Sequence, residues 1–203
     1  MYVLKADWYR GFESLPLRHP SLCACRLELR PALRSFSEAG MVSDQENEYG
    51  VALDIVEAKA RTYELNLAMV PKRLEGFPGA VELVWKCQAA GMACAVASSA
   101  DRIKIVANLN KIGLPPATWQ AIVTAEDVER RKPDPAIFLL AAQRLGVQPS
   151  QCTVVEDAVN GIAAAKAAGM RCIAVASTFP ASHLVQADLI RPSISAVTLE
   201  DFG

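Results

Sequence analysis

Residues 92–101, Met92-Ala-Cys-Ala-Val-Ala-Ser-Ser-Ala-Asp101, decide the architecture. Six apolar residues run without a break and then give way to two hydroxyls. A strand so short and so uniformly apolar is buried on both faces, which requires helices above and below its sheet. The flanking stretches supply them. Upstream, Pro78 opens a helical pattern carrying Val81, Leu83, Val84, Trp85 and Cys87, and Gly91 closes it. Proline in the first turn and glycine just past the last are the ordinary boundary marks. Downstream, Ile105, Leu109 and Ile112 form one stripe of a helix from Ala100 to Ile112, with Gly113 as its stop.

The unit recurs toward the C-terminus. Ala121-Ile-Val-Thr124 reads as a strand, and Pro135 to Leu145, closed by Gly146, as a helix. Thr153-Val-Val155 and Cys172-Ile-Ala-Val175 read as strands on either side of a helix from Ala158 to Ala168 that Gly169 closes. Strands alternating with helices imply right-handed crossovers: an α/β, Rossmann-like parallel sheet with helices on both faces. Sites in such sheets lie beyond the C-terminal ends of the strands, here just after Ala97, Thr124 and Val155. Residues 31–75 differ, since Ala52 to Met69 carries helical spacing with no strand run. Residues 1–30 follow neither pattern; Arg10, Arg18, Arg26 and Arg30 are scattered among Trp8, Tyr9 and Phe12.

Composition narrows the function. The chain has 203 residues, 52% hydrophobic and 21% charged, which excludes disorder. Twenty-one basic residues against 22 acidic ones leave no basic field for nucleic acid. No apolar run is long enough for a membrane span, and the first 30 residues lack the pattern of a signal peptide. Cys87, Cys94, Cys152 and Cys172 sit in or beside apolar segments, as small buried hydrophobes do. Cys23 and Cys25 lack a second pair at zinc spacing, so a reducing compartment is expected. His19, His183, Trp85 and Trp119 have no catalytic context; the histidines read as surface groups and the tryptophans as packing.

Three strand-end loops carry chemistry. In Ser98-Ser99, a hydroxyl followed by the first amides of a helix makes an anion site; the alternative is a simple helix cap. In Lys132-Pro133-Asp134-Pro135, each residue before a proline is held extended, Asp134 suits the N-cap and Pro135 the first helical position. Lys132 can thus place its ammonium over the sheet edge, the alternative being a solvated surface lysine. In Glu156-Asp157, adjacent carboxylates ending a buried strand repel unless a cation or donors offset them. Mg²⁺ takes such oxygens; otherwise Asp157 caps a helix and Glu156 is solvated. Gly161, early in the next helix, weakens it unless something must approach closely.

Gly76-Phe-Pro-Gly79, Val96-Ala-Ser-Ser99, Arg131-Lys-Pro-Asp-Pro-Ala-Ile-Phe138 and Val154-Val-Glu-Asp-Ala-Val-Asn-Gly161 occur in this order. With them the stretch from Gly76 to Val175 resembles the haloacid dehalogenase-like hydrolases, in particular the β-phosphoglucomutase-like phosphatases with a helical cap. Ala95 to Leu109 is also similar to the dehalogenase-like domain of the plant chloroplast suppressor-of-quenching proteins. The resemblance implies a 76–203 core, a partial helical cap at 31–75 and an atypical segment at 1–30. It implies that Ser98 and the Ser99 amide bind the transferring phosphoryl group and that Lys132 neutralises its charge. Asp157, with Glu156 close by, would hold Mg²⁺. The implied reaction is hydrolysis of a small phosphorylated metabolite through an aspartyl-phosphate, with water activated by a second aspartate two residues on. The implied compartment is the cytoplasm or the chloroplast stroma.

The family's nucleophile closes an apolar first strand as Asp-x-Asp-Gly, which this chain lacks. The nearest approach is Tyr2-Val-Leu-Lys-Ala-Asp-Trp-Tyr9, with Asp7 as candidate nucleophile and Tyr9 in place of the second aspartate. Tyrosine, with a reference pKa of about 10, is a poor general base near neutrality. Impaired phosphatase activity is therefore expected. The alternatives are a non-catalytic phosphate- or Mg²⁺-binding or interaction domain, and a sugar-phosphate mutase. A dinucleotide site is disfavoured because no G-x-G-x-x-G follows a strand. Gly11-Phe-Glu-Ser-Leu-Pro16 is what a conserved tRNA arm would encode if translated, so residues 1–30 are expected to be a mis-read or fused frame. A core without its first strand would expose a central sheet edge and dissolve poorly.

Overall fold

The computed structural model describes residues 2–4, 9–10 and 55–203. In chain order the main elements are β1 (Tyr2–Leu4), β2 (Tyr9–Arg10), α1 (Ile55–Arg73), β3 (Glu75–Gly76), α2 (Ala80–Ala89), β4 (Cys94–Ala97) and α3 (Arg102–Lys111). They continue with β5 (Ala121–Val123), α4 (Ala136–Leu145), β6 (Thr153–Glu156), α5 (Val159–Ala167), β7 (Arg171–Val175) and β8 (Leu189–Arg191). Every strand and helix expected between residues 78 and 175 is present, within two residues at each end. The strand β8 and the β2–β3 pair carry no apolar run, and periodicity did not reveal them.

Six strands form one parallel sheet in the order β5-β4-β1-β6-β7-β8. The chain adds strands to one side of β1, then crosses to the other, so the order reverses at β1. Ligands bind at such reversals. The bare central edge anticipated from the sequence is not found, because Tyr2–Leu4 fills it. Val3 pairs with Ala95 on one side and with Val154 on the other. Three residues in extended register suffice there, since both neighbours supply the ladder.

Alternation along each strand sorts the core into two layers. Ala95, Ala97, Val154, Cys172 and Ala174 face one way, against Ile137, Phe138, Ala141 and Ala142 of α4 and Ile162, Ala164 and Ala165 of α5. Cys94, Val96, Val155, Ile173 and Val175 face the other, against Ala80, Leu83, Val84 and Cys87 of α2 and Ile105 and Leu109 of α3. Alanines on both sides of the first layer let α4 and α5 approach the sheet closely. Trp119 is buried, its indole N–H donating to the Leu114 carbonyl at 3.1 Å, whereas Trp85 is half exposed. His183 is on the surface, as expected. Cys87, Cys94, Cys152 and Cys172 are free and buried, and burial lifts their thiols to between about 11 and about 12. Cys23, Cys25 and His19 lie outside the described residues.

The chain divides into two compact units, Met1–Gly11 with Met69–Gly203, and Phe12–Ala68. Of the second, the described part is the helix α1 up to Ala68, whose Val56 and Leu65 are exposed and whose Arg61 and Glu64 pair at 2.8 Å. Among the described residues no helix is long and apolar enough to cross a membrane.

Candidate active site

The loop after β4 is held from below. Ser98 is fully buried; its N–H donates to the Val123 carbonyl at 3.0 Å and its Oγ accepts from the Ala100 N–H at 3.2 Å. The hydroxyl thus tightens its own loop, and Asp101 rather than Ser98 takes the N-cap position of α3. Across the gap, Ala125 N–H donates to the Ala100 carbonyl at 3.2 Å, which ties the loops after β4 and β5 together.

Asp127 anchors the β5 side. Thr124-Ala-Glu-Asp127 closes as a capping box. Asp127 Oδ2 accepts from Thr124 N–H at 2.8 Å, Thr124 Oγ1 at 2.9 Å and Arg102 at 2.9 Å, while Oδ1 accepts from Arg144 of α4 at 2.6 Å. Partial burial alone would raise this carboxyl. Arg144 and the Thr124 donors outweigh it and hold the pKa at about 2 instead of 3.8. A folded-state value below the unfolded one contributes stability that is complete above about pH 4 and is lost as pH falls through 2. In urea melts, wild type should exceed Asp127→Asn by about 2 kcal/mol at pH 6, the gap closing near pH 2. A gap independent of pH would remove the charge from the explanation.

From that anchor the chain runs to Lys132, whose peptide bond to Pro133 is cis. The N-cap of α4 is Pro135 rather than the expected Asp134; Asp134 lies one residue further out, and its Oδ1 accepts from the Ala136 N–H at 2.9 Å. Lys132 is not a solvated lysine. Its side chain is 9% exposed, its Nζ lies 4.6 Å from the centre of the buried Phe138 ring, and it donates to Glu156 Oε2 at 3.0 Å. It also donates to the Ala97 carbonyl at 3.4 Å. Ala97 ends β4 and Glu156 ends β6, and β1 lies between these strands. One ammonium bonded to both ends therefore stands over the C-terminal end of β1.

Glu156 is buried rather than solvated, and its partners are all within the protein. Beyond the Lys132 bond, its Oε1 accepts from the Asp157 and Ala158 N–H groups at 3.0 Å each. The carboxyl group lies where a side chain on Gly161 would be; an added Cβ there would stand 2.6 Å from Glu156 Cγ and closer still to the carboxyl carbon. The close approach that the glycine signalled is thus the side chain five residues before it. Asp157 is only half-buried, and its Oδ2 accepts from Thr178 Oγ1, in the loop after β7. Glu156 and Asp157 also edge a cavity of about 240 Å³, walled by Phe77, Pro78, Val175, Ser177 and residues 192–195. Gly79, with φ 86°, is packed so tightly on Ser195 that a Cβ would come 2.7 Å from the Ser195 Cα.

Ser98, Lys132, Glu156 and Asp157 therefore meet on one rim, at the reversal of strand order. Asp7, three positions past the end of β1 in sequence, lies outside the described residues. Thr178 and Asp127 were not singled out from sequence. Thr178 had the same signal as Ser98, a hydroxyl just after a buried strand, and Asp127 had its capping-box spacing.

The site is a parallel sheet reversing at β1, with a hydroxyl, an ammonium and paired acids on its rim. Residues 29–169 match the family model of the haloacid dehalogenase-like hydrolases, and the chain belongs to that family. It is 48% identical over 148 residues to Protein SUPPRESSOR OF QUENCHING 1, chloroplastic, of Arabidopsis thaliana, a match covering 71% of this chain and 14% of that protein. It is 34% identical over 157 residues to the bifunctional riboflavin kinase/FMN phosphatase of the same plant, covering 77% of this chain and 41% of that one. The chain thus spans less than half the length of either relative. Among solved structures, CbbY from Rhodobacter sphaeroides in complex with phosphate superposes with a TM-score of 0.73 at 25% identity, covering 84% of this chain and 79% of that one. Phosphatases are among the relatives, and Mg²⁺ use is usual in the family.

Proposed function

We propose that the chain is a Mg²⁺-dependent phosphomonoesterase for a small phosphorylated metabolite. The observation that carries the reading is the Lys132 ammonium, suspended over the end of β1 between Ser98 and the Glu156–Asp157 pair. An ammonium so placed offsets the charge that an attacking carboxylate and a phosphate would otherwise bring together. In this reading Ser98 and the Ser99 amide orient the phosphoryl oxygens.

The donor set suits a hard cation. Asp157 offers carboxylate oxygen at the cavity edge, whereas both Glu156 oxygens already accept from Lys132 and two amides. Asp157 is therefore assigned the metal and Glu156 the task of fixing Lys132. No group of three His, Cys, Asp or Glu side chains suited to a metal occurs among the described residues. When bound, Mg²⁺ polarises the phosphate and draws charge from it. Asp7 is the proposed nucleophile, three residues past the end of β1 in sequence. Tyr9, two residues on, replaces a carboxylate base, so turnover is expected to be slow.

Hydrolysis of p-nitrophenyl phosphate with and without Mg²⁺ tests this. Activity should be Mg²⁺-dependent and should fall at least about 100-fold in Asp7→Asn and in Asp157→Ala. Activity in wild type that both variants retain would overturn the assignment. A non-catalytic binding role would instead show phosphate and Mg²⁺ binding with no turnover in any form. The similarity to a chloroplastic protein supports the plastid over the cytoplasm, which imaging of the tagged protein checks.

A further inference from the structure

We infer that Thr178 is a positioning residue for the metal-binding carboxylate; the inference rests on the reading of Asp157 given above. Thr178 follows β7, the strand next to β6, and its Oγ1–H donates to Asp157 Oδ2 across the two strand ends. A carboxylate at the end of a strand can turn about its last side-chain bond. A donor bonded to one oxygen fixes the carboxylate plane and so the direction in which the group presents its lone pairs. Mg²⁺ demands near-octahedral ligands and tolerates little deviation, so a pre-oriented oxygen raises affinity.

The loop carrying Thr178 is itself restrained. Ala176 N–H donates to the Arg191 carbonyl of β8 at 2.9 Å, which sets the loop's departure from the sheet. Beyond Thr178, the Phe179 ring lies against His183 with centroids 6.4 Å apart, and Leu184 is fully buried. The hydroxyl is therefore held on both sides in sequence, although the residue is exposed. Exposure matters to the test: replacing Thr178 removes little packing, so lost stability does not obscure a lost hydrogen bond. Valine keeps the shape and deletes the donor.

Isothermal titration of Mg²⁺ into the full chain measures the effect without turnover. Thr178→Val should weaken Mg²⁺ binding about 10- to 100-fold, Thr178→Ser should restore it, and Asp157→Asn should abolish it. In EDTA, the melting temperatures of wild type and Thr178→Val should agree. Wild-type affinity in Thr178→Val, alongside loss in Asp157→Asn, would overturn the role of Thr178 and leave the metal assignment standing. Undiminished binding in Asp157→Asn, or none in wild type, would overturn both.

Discussion

Replacing Gly161 by alanine is expected to lower the unfolding free energy by about 3 kcal/mol, although alanine inside a helix ordinarily stabilises by up to about 1 kcal/mol. The backbone of Gly161 is helical, so conformation presents no obstacle. Space does. The new methyl group would occupy the position of the Glu156 carboxyl, which is buried and receives Lys132 and two backbone N–H groups. To make room, Glu156 must rotate away and leave an ammonium and two amides without their acceptor. Losing a buried, hydrogen-bonded charge in this way costs about 3–5 kcal/mol, which outweighs the gain in helix propensity. Urea unfolding followed by circular dichroism reads the difference. In a Glu156→Ala background the same alanine should cost little, because the clash is gone; equal cost in both backgrounds would mean that something other than Glu156 fills the space.

Lys132→Met should be comparably damaging, by about 3–5 kcal/mol, because it strands the Glu156 carboxylate in a site where the side chain has no exposure. The methionine retains much of the stem that lies over Phe138, so packing is largely kept. The double variant Lys132→Met/Glu156→Gln removes both charges and should recover most of the stability. If Lys132 acts as proposed, the double variant should not recover phosphatase activity, because it lacks the ammonium over β1. Stability and activity rising together in the double variant would show that Lys132 serves only as a structural partner of Glu156.

These two residues show how much of the site could be read in advance. Gly161 stood out because glycine is costly inside a helix, but periodicity does not say which neighbour needs the room. Lys132 stood out because prolines restrict the chain around it. That it is buried follows from Phe138 and Glu156, one six residues away and the other on the next strand. Ser98 was legible as a strand-end hydroxyl, yet its bond to the Ala100 N–H makes it part of its own loop as well as of the rim. Thr178 passed unnoticed because its partner, Asp157, is 21 residues distant. The short strand Tyr2–Leu4 carries too few residues to show a period, and its central place is set by the two edges that close on it.

The sequence by itself determined the alternation of strands and helices from residue 78 to 175, the burial of both sheet faces and the loops where chemistry could occur. Each of these follows from local spacing: unbroken apolar runs, helical stripes, and glycine or proline at the boundaries. Only the tertiary structure decided that β1 lies between β4 and β6, that one ammonium joins their ends, and that Glu156 is folded over Gly161. Those outcomes depend on which strand edges pair and which side chains share a buried volume, and such contacts between distant residues leave no period along the chain.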